Sequence, residues 1–338
     1  MWDVVGQKRI VSLLQRGLEK EALSHAYLFV GPPHVGKMTL ALNLAQALNC
    51  EATDRPCAQC VSCQKILGLK HADVRVIGVT SNGNSGADKA HAEISIDQIR
   101  DMLHVASLPP FEGKYKVFII DGAELLSTEA ANCLLKTLEE PVGRVVFILL
   151  TGAEGLLLAT VVSRCQRIEL APATPGDIEV VLGNRGIDAP KAKLLARLCH
   201  GCLGWALTAA NDSSILEQRN EKMETIINVI KTNYEERFTY AAQLAAQFAR
   251  SRESVQEVLD LWRDWWHDVM LVKTGCNQSI TNVDREETLV KMAKGYSLAQ
   301  IKAFITGIQS AMVQLKQNAN PRLALEVLML NIPERKYG

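Results

Sequence analysis

The sequence predicts a parallel α/β domain followed by an all-helical C-terminal region, and three features predict it. Short, fully apolar runs alternate with amphipathic helical patterns up to residue 170, the arrangement in which a parallel sheet is buried between helices. The first run leads directly into a glycine-rich loop that opens a helix, as phosphate-binding loops do. Beyond Asn211 the apolar residues recur only at helical spacing.

A chain of 338 residues exceeds one ordinary core and points to two or three domains. Lys and Arg number 37 and Asp and Glu also 37, a formal net charge of zero. That balance excludes a general electrostatic grip on nucleic acid while leaving room for a local basic patch. Hydrophobic residues make up 48% and aromatics only 5%, which fits helices rich in Leu, Ala and Ile. No apolar run reaches membrane-spanning length, and MWDVVGQKRI carries charge too early for a secretory signal. The expected compartment is the cytoplasm. Nine cysteines, with four of them between residues 50 and 63, fit a reducing compartment and a metal site better than a disulfide framework.

The chain opens with an irregular WDVVGQ segment, then a short helix lined by Ile10, Leu13, Leu14 and Leu18. Ala26 to Val30 is the first strand. Gly31 ends it, and Gly36 and Lys37 open a helix with Leu40, Leu44 and Leu48 on one face. Glycines in such a loop let backbone N–H groups close around phosphate oxygens, and the lysine adds a point charge. The pattern then calls for a Ser or Thr hydroxyl to hold magnesium. Here the residue is Met38, whose thioether cannot do so. Thr39 is turned roughly 100° away by the helix and does not substitute. A mere Gly-Pro turn is the plainer alternative, against which the flanking strand and helix weigh.

After the loop helix, Cys50, Cys57, Cys60 and Cys63 follow a C-x6-C-x2-C-x2-C spacing. Four thiolates so close in sequence can surround one tetrahedral ion, and with every position filled by sulfur the site is structural. Zinc is the favoured ion, an iron–sulfur cluster the other metal that takes this set, and unpaired core cysteines the plainest reading.

Val74 to Val79 forms the second strand, and residues 80–92 a polar loop expected to be mobile. Ile96, Ile99 and Leu103 line a helix that Pro109 and Pro110 end. Val117 to Ile120 is a third strand ending in Asp121, where phosphate-loop NTPases place a magnesium-holding aspartate. The next residue should be an acid that orients water, and it is Gly122; Glu124 lies along a turn from which its carboxylate need not reach the same place. Ser127 starts a helix with Ala130, Leu134 and Leu138 on one face, ended by Pro141. Val145 to Leu150, finishing at Thr151, is the fourth strand and Gln166 to Leu170 the fifth. Just before the fifth stands Ser163-Arg164-Cys165; one arginine alone is most often a solvated surface charge. Ligands are expected at the strands' C-terminal ends.

Pro172 and Pro175 mark a boundary, after which residues 175–210 hold short helices, the last opened by GCLGWAL. Cys199 and Cys202 flank His200 without a partner pair in sequence and read as packing residues. In the helical region Leu259, Trp262, Trp266 and Val269 make an apolar stripe of the core type. Ser297 with Gln300 forms a capping box ahead of Ile301, Ile305, Ile308, Met312 and Leu315. Asn320-Pro321 starts the final helix.

Together these segments resemble the AAA+ clamp-loader subunits of bacterial DNA polymerase III, most closely the delta prime type. The likeness runs nearly end to end. It is carried by VVGQ at 4–7, SHAYLFVGPPHVGK at 24–37, the four-cysteine module after the loop helix, NCLLKTLEEP at 132–141, SRC at 163–165 and NPRLALEVLML at 320–330. The resemblance implies a RecA-like α/β domain with a five-stranded parallel sheet over residues 1–171, carrying a zinc module at 50–63. It further implies a small helical lid over 172–211 and a helical collar over 212–338 that joins subunits into a ring. It implies that Arg164 acts in trans on a neighbour's ATP, that Cys50, Cys57, Cys60 and Cys63 hold zinc, and that Gly31, Gly36, Lys37 and, more weakly, Asp121 are remnants of a nucleotide site. The implied partners are the gamma/tau motor subunits and the delta subunit, with the sliding clamp and primed DNA reached through the complex, and no membrane.

Met38, Gly122 and Trp205, the last standing where an active subunit has a second sensor arginine, point to a chain that does not hydrolyse ATP and leaves magnesium-ATP unbound or intact. Such groups act as a unit, so losing one costs orders of magnitude in rate. Two alternatives stand beside this reading. One is an ATP-hydrolysing motor subunit of the same loader, which the three positions argue against. The other is a zinc-ribbon nucleic-acid module, against which neutral charge and few aromatics near the cysteines weigh.

Overall fold

A computed structural model describes residues 2–79, 93–140 and 143–334. The polar loop expected at 80–92 and the helix-ending Pro141 lie outside the described residues. The chain divides into two compact units, Met1–Val180 with His200–Trp205 and Val181–Cys199 with Ala206–Gly338.

In the first unit, strands β1 (Ala26–Val30), β2 (Val74–Ile77), β3 (Lys116–Asp121), β4 (Val145–Thr151) and β5 (Gln166–Glu169) form one five-stranded sheet in the order β2-β3-β4-β1-β5. Every pairing is parallel, as the sequence predicts. β2 ends at Ile77, two residues short of expectation, because the next carbonyl, that of Gly78, accepts the Gln98 side-chain amide instead of extending the ladder.

Helices cover both faces of this sheet. α1 (Lys8–Glu19), α2 (Lys37–Asn49) and α3 (Val61–Leu67) lie on one side; α4 (Ile96–Ser107), α5 (Thr128–Glu139) and α6 (Ala159–Val162) lie on the other. Alternation along β1 sends Tyr27 and Phe29 to the α2 face, against Leu40, Leu44 and Leu48, and Ala26 and Leu28 to the α5 face, with Leu134 and Leu138. The three central strands, β3, β4 and β1, are covered on both faces and almost wholly apolar, which is why they show in the sequence as unbroken runs, whereas the edge strands β2 and β5 carry exposed polar residues. Ser95 and Gln98 cap α4 reciprocally, and Ser127 accepts the Ala130 N–H to start α5. α3 sits inside the cysteine module, and seven residues are too few for its periodicity to show in the sequence.

α7 (Pro175–Asn184) and α9 (Leu203–Asn211) each contribute residues to both units, while α8 (Ala189–Leu198) belongs to the second. The second unit continues with α10 (Ser213–Val229), α11 (Tyr234–Arg250), α12 (Arg252–Lys273), α13 (Glu286–Lys294), α14 (Leu298–Lys316) and α15 (Pro321–Leu330). Its core is centred on α12, where Trp262, Trp265 and Trp266 are fully buried. The Trp266 ring lies 4.9 Å from Phe304 and 5.2 Å from Tyr296, within the range of favourable aromatic pairing. Asp268, also fully buried on α12, accepts the N–H groups of Thr281 and Asn282 at 2.8 and 2.7 Å and ties the irregular 277–285 segment to the helix. No helix among the described residues is long and apolar enough to cross a membrane.

Candidate functional site

Three groups of residues are candidates for the site, all of them in the first unit. The first is the loop between β1 and α2. Gly31 leaves β1 with its N–H on the Thr151 carbonyl at 3.2 Å. A Cβ there would stand 2.8 Å from the Leu170 carbonyl oxygen, so only glycine allows the approach of β5 to the loop. Gly36 turns into α2 with φ of 104°, left-handed backbone that a side chain would strain. Lys37 folds back over the loop, and its Nζ donates to the carbonyl oxygens of Gly31 at 2.6 Å and Pro32 at 2.8 Å. Burial lowers its pKa from the ordinary lysine value, opposed by the carboxylates of Glu124 and Asp121 and by Cys202. Met38 packs against the hydrophobic cluster on the α2 face of the sheet. The position that would supply a magnesium-binding oxygen is thus a half-buried apolar side chain packed against the core.

Two residues that the sequence does not assign to this loop, Glu124 and Cys202, lie near it in the structure. Gly122 takes a left-handed conformation, φ 76°, and starts a short 3-10 turn over Ala123–Leu125. That turn brings Glu124 back toward the end of β4, where its Oε1 accepts the Gly152 N–H at 3.2 Å. The buried Oε2 has no hydrogen-bond partner among the described residues. Cys202 is the second: it is half-buried and interacts electrostatically with Lys37, and burial raises its pKa against the pull of that lysine. The Gly204 N–H, two residues on, donates to the His34 carbonyl at 3.1 Å, which sets the GCLGW segment on the loop and puts Trp205 next in line. A positive φ at Gly122 and a hydrogen bond between residues far apart in sequence are signals that periodicity does not carry.

The second group is the cysteine cluster. Cys50 ends α2 and Cys60 caps α3. The sulfur atoms of Cys50, Cys57, Cys60 and Cys63 all lie within 4.8 Å of one another, with 4.0 Å between those of Cys50 and Cys60. Four sulfurs around a tetrahedral zinc, at about 2.3 Å each, stand about 3.8 Å apart. The cluster therefore has the size and donor set of such a site, and its spacing is far too wide for the roughly 2 Å of a disulfide. Backbone N–H groups point at the sulfurs, from Cys60 to Cys57 at 3.3 Å and from Cys63 to Cys60 at 3.4 Å. The N–H groups of Cys60 and Gln59 hold the Cys57 thiol down at about 6, whereas burial pushes the Cys63 thiol up to about 12. Around the cluster, Gln46 donates to the Cys63 carbonyl and Lys114 to that of Cys50.

Arg164 is the third. It lies in the turn between α6 and β5, and its Nε donates to Glu139 Oε1 at 2.7 Å, an oxygen its Nη2 also reaches. Its Nη1 donates to the Thr160 carbonyl at 2.9 Å. The parallel register, Tyr27 beside Gln166 and Val30 beside Glu169, sets this arginine at the edge of the sheet where strands begin. The phosphate-type loop is at the edge where they end, a strand length of about 10 Å or more away. The structure gathers Gly31, Gly36, Lys37 and Asp121 at one edge with Glu124 and Cys202, and places Arg164 apart from them.

The chain is similar to known subunits of DNA polymerase III. Residues 6–174 match the family model described as DNA polymerase III, delta subunit, and residues 214–334 match that of its C-terminal part. The DNA polymerase III subunit delta' of Bacillus subtilis is 28% identical over 97% of this chain and 96% of its own length. Subunit tau of the same organism is 28% identical over 99% of this chain, which spans 62% of tau. A solved DNA polymerase III gamma subunit-related protein of Thermotoga maritima aligns over 97% of this chain and 99% of its own, at 19% identity and a TM-score of 0.41.

Proposed function

Because the chain belongs to the DNA polymerase III delta-subunit family, we propose that it serves in that polymerase's clamp loader as a subunit that does not hydrolyse ATP and lends Arg164 to the ATP site of a neighbouring subunit. The observation that carries this reading is the separation of Arg164 from the phosphate-type loop by the length of the sheet. An arginine at the strand-starting edge has no phosphate of its own chain within reach, so its use as a finger requires a second subunit. Set against a transferring phosphoryl group, the guanidinium would stabilise the charge that develops on it, a contribution of about 10³- to 10⁵-fold where such fingers operate.

The loop supports the same division of labour. Lys37 is engaged by the carbonyls of Gly31 and Pro32, Met38 is taken up in packing, and Gly122 brings no carboxylate to the end of β3. Cys50, Cys57, Cys60 and Cys63 would hold a zinc ion that, when bound, cross-links the end of α2 to the start of α3 and offers no open position for chemistry. The partners in this reading are the gamma/tau motor and delta subunits, met through the first unit and the helical second unit; the clamp and primed DNA are reached through the assembly.

A second reading, an ATP-hydrolysing motor subunit, draws on one observation: Glu124, near Lys37, has a buried carboxylate oxygen with no hydrogen-bond partner among the described residues. Reconstitution separates the two. The isolated chain is expected to show no ATP turnover that Lys37→Ala removes, and Arg164→Ala is expected to lower the DNA-dependent ATPase of the assembled complex by about tenfold or more with assembly intact. Turnover by the chain alone that depends on Lys37 selects the motor, and an unchanged rate in the Arg164→Ala complex overturns the finger.

A further inference from the structure

Arg164 does not stand free at the sheet edge. All three guanidinium nitrogens are engaged within the chain: Nε and Nη2 on Glu139 Oε1, and Nη1 on the Thr160 carbonyl, with Ser163 Oγ at 3.4 Å. Glu139 is the last residue of α5, and Glu140 caps it. Two carboxylates at the C-terminal end of a helix face the negative end of its dipole, where a cation is ordinarily favoured. The acid at position 139 therefore works against its own helix, and what it gains there is Arg164.

We propose that Glu139 is a resting counter-ion that parks Arg164 and yields it when a neighbour's triphosphate is brought into place. This rests on the reading of Arg164 as a finger acting in trans. A guanidinium paired with a carboxylate presents little net charge, and a finger acts by its charge, so the paired form is the idle one. The two side chains are 32% and 49% exposed, and ion pairs so open to solvent are weak and screened by salt. A phosphate group, with several acceptor oxygens and the geometry for paired N–H bonds, outcompetes a single shared carboxylate oxygen. Glu139 is a positioning residue in this scheme: it touches no substrate and acts only through Arg164.

The test uses the complex reconstituted with its motor subunits and the sliding clamp, assayed for ATP hydrolysis with and without a short primer–template duplex. Glu139→Gln keeps the side chain's size and removes its charge. It is expected to raise the DNA-free rate about twofold to fivefold, the range a solvent-exposed pair allows, while the DNA-stimulated rate stays within about twofold of wild type. Raising salt at fixed assembly should lift the wild-type DNA-free rate toward that of the variant, a response that a merely structural role would not give. The double variant Glu139→Gln/Arg164→Ala should behave like Arg164→Ala alone. If Arg164→Ala lowers turnover while Glu139→Gln leaves the DNA-free rate unchanged or reduces it, the counter-ion role is overturned and the finger stands. An additive double variant overturns it as well, and an inert Arg164→Ala overturns both.

Discussion

The Lys37 ammonium donates to the carbonyl oxygen of Gly31, 2.6 Å away, so the cation that would meet a phosphate is bound to the residue that opens its own loop. With Met38 packed below, the loop keeps its shape without an oxygen for magnesium. Restoring that oxygen by Met38→Thr is expected to make nucleotide affinity magnesium-dependent, strengthening it by about tenfold when magnesium is present, without turnover because Gly122 still lacks a carboxylate. Titration with a fluorescent ATP analogue, with and without magnesium, checks this, and an affinity indifferent to the metal contradicts it.

Metal content is the direct test of the cysteine cluster. The purified chain is expected to carry about one zinc per molecule, and Cys60→Ser to lose it together with several degrees of thermal stability, since a structural ion contributes to folding when bound. Elemental analysis and a thermal melt suffice. Wild-type chain free of zinc, or a variant that melts unchanged, removes the metal from the account.

Asp73 anchors the turn before β3, accepting the N–H groups of Phe111, Glu112 and Gly113 at 2.7 to 2.8 Å. Burial by itself would raise its pKa, but these three N–H groups and the nearby His71 outweigh burial and hold it below the ordinary aspartate value. A carboxylate depressed on folding adds stability that is present above its unfolded pKa, near 4, and is lost as pH falls through the folded value. Asp73→Asn is therefore expected to cost about 2–3 kcal/mol at pH 7 and progressively less at pH 3. Denaturant unfolding at the two pH values reads the difference, and an equal loss at both would refute the assignment.

Trp266 lies at the centre of the helical unit's core, in contact with Phe304 and Tyr296. Trp266→Ala should destabilise that unit by about 3–5 kcal/mol through lost burial and the cavity left behind. Unfolding monitored by far-UV circular dichroism gives the shift, whereas a loss under 1 kcal/mol would place the core elsewhere.

Much of the candidate site is legible in the sequence alone. The absence of a hydroxyl at Met38, the thiolate spacing from Cys50 to Cys63 and the apolar run ending in Asp121 are local patterns, and local patterns survive in a linear reading. Glu124 is not legible in this way, because spacing along a turn says nothing of direction; the left-handed Gly122 supplies it. Cys202 read as packing because its neighbour Lys37 lies far away in the chain.

By itself the sequence determined the five strands, the helices α2, α4 and α5 between them and the tryptophan-rich helical core, because burial along a strand or along one helix stripe imposes a periodicity that residues must obey. Only the tertiary structure decided which residues meet. The strand order puts β1 between β4 and β5, so Lys37 comes under the field of Glu124 and Asp121 at one edge of the sheet, while Arg164 is paired with Glu139 at the other. Those neighbours follow from the path of the chain through three dimensions, and side-chain charge acts across space without regard to distance along the sequence.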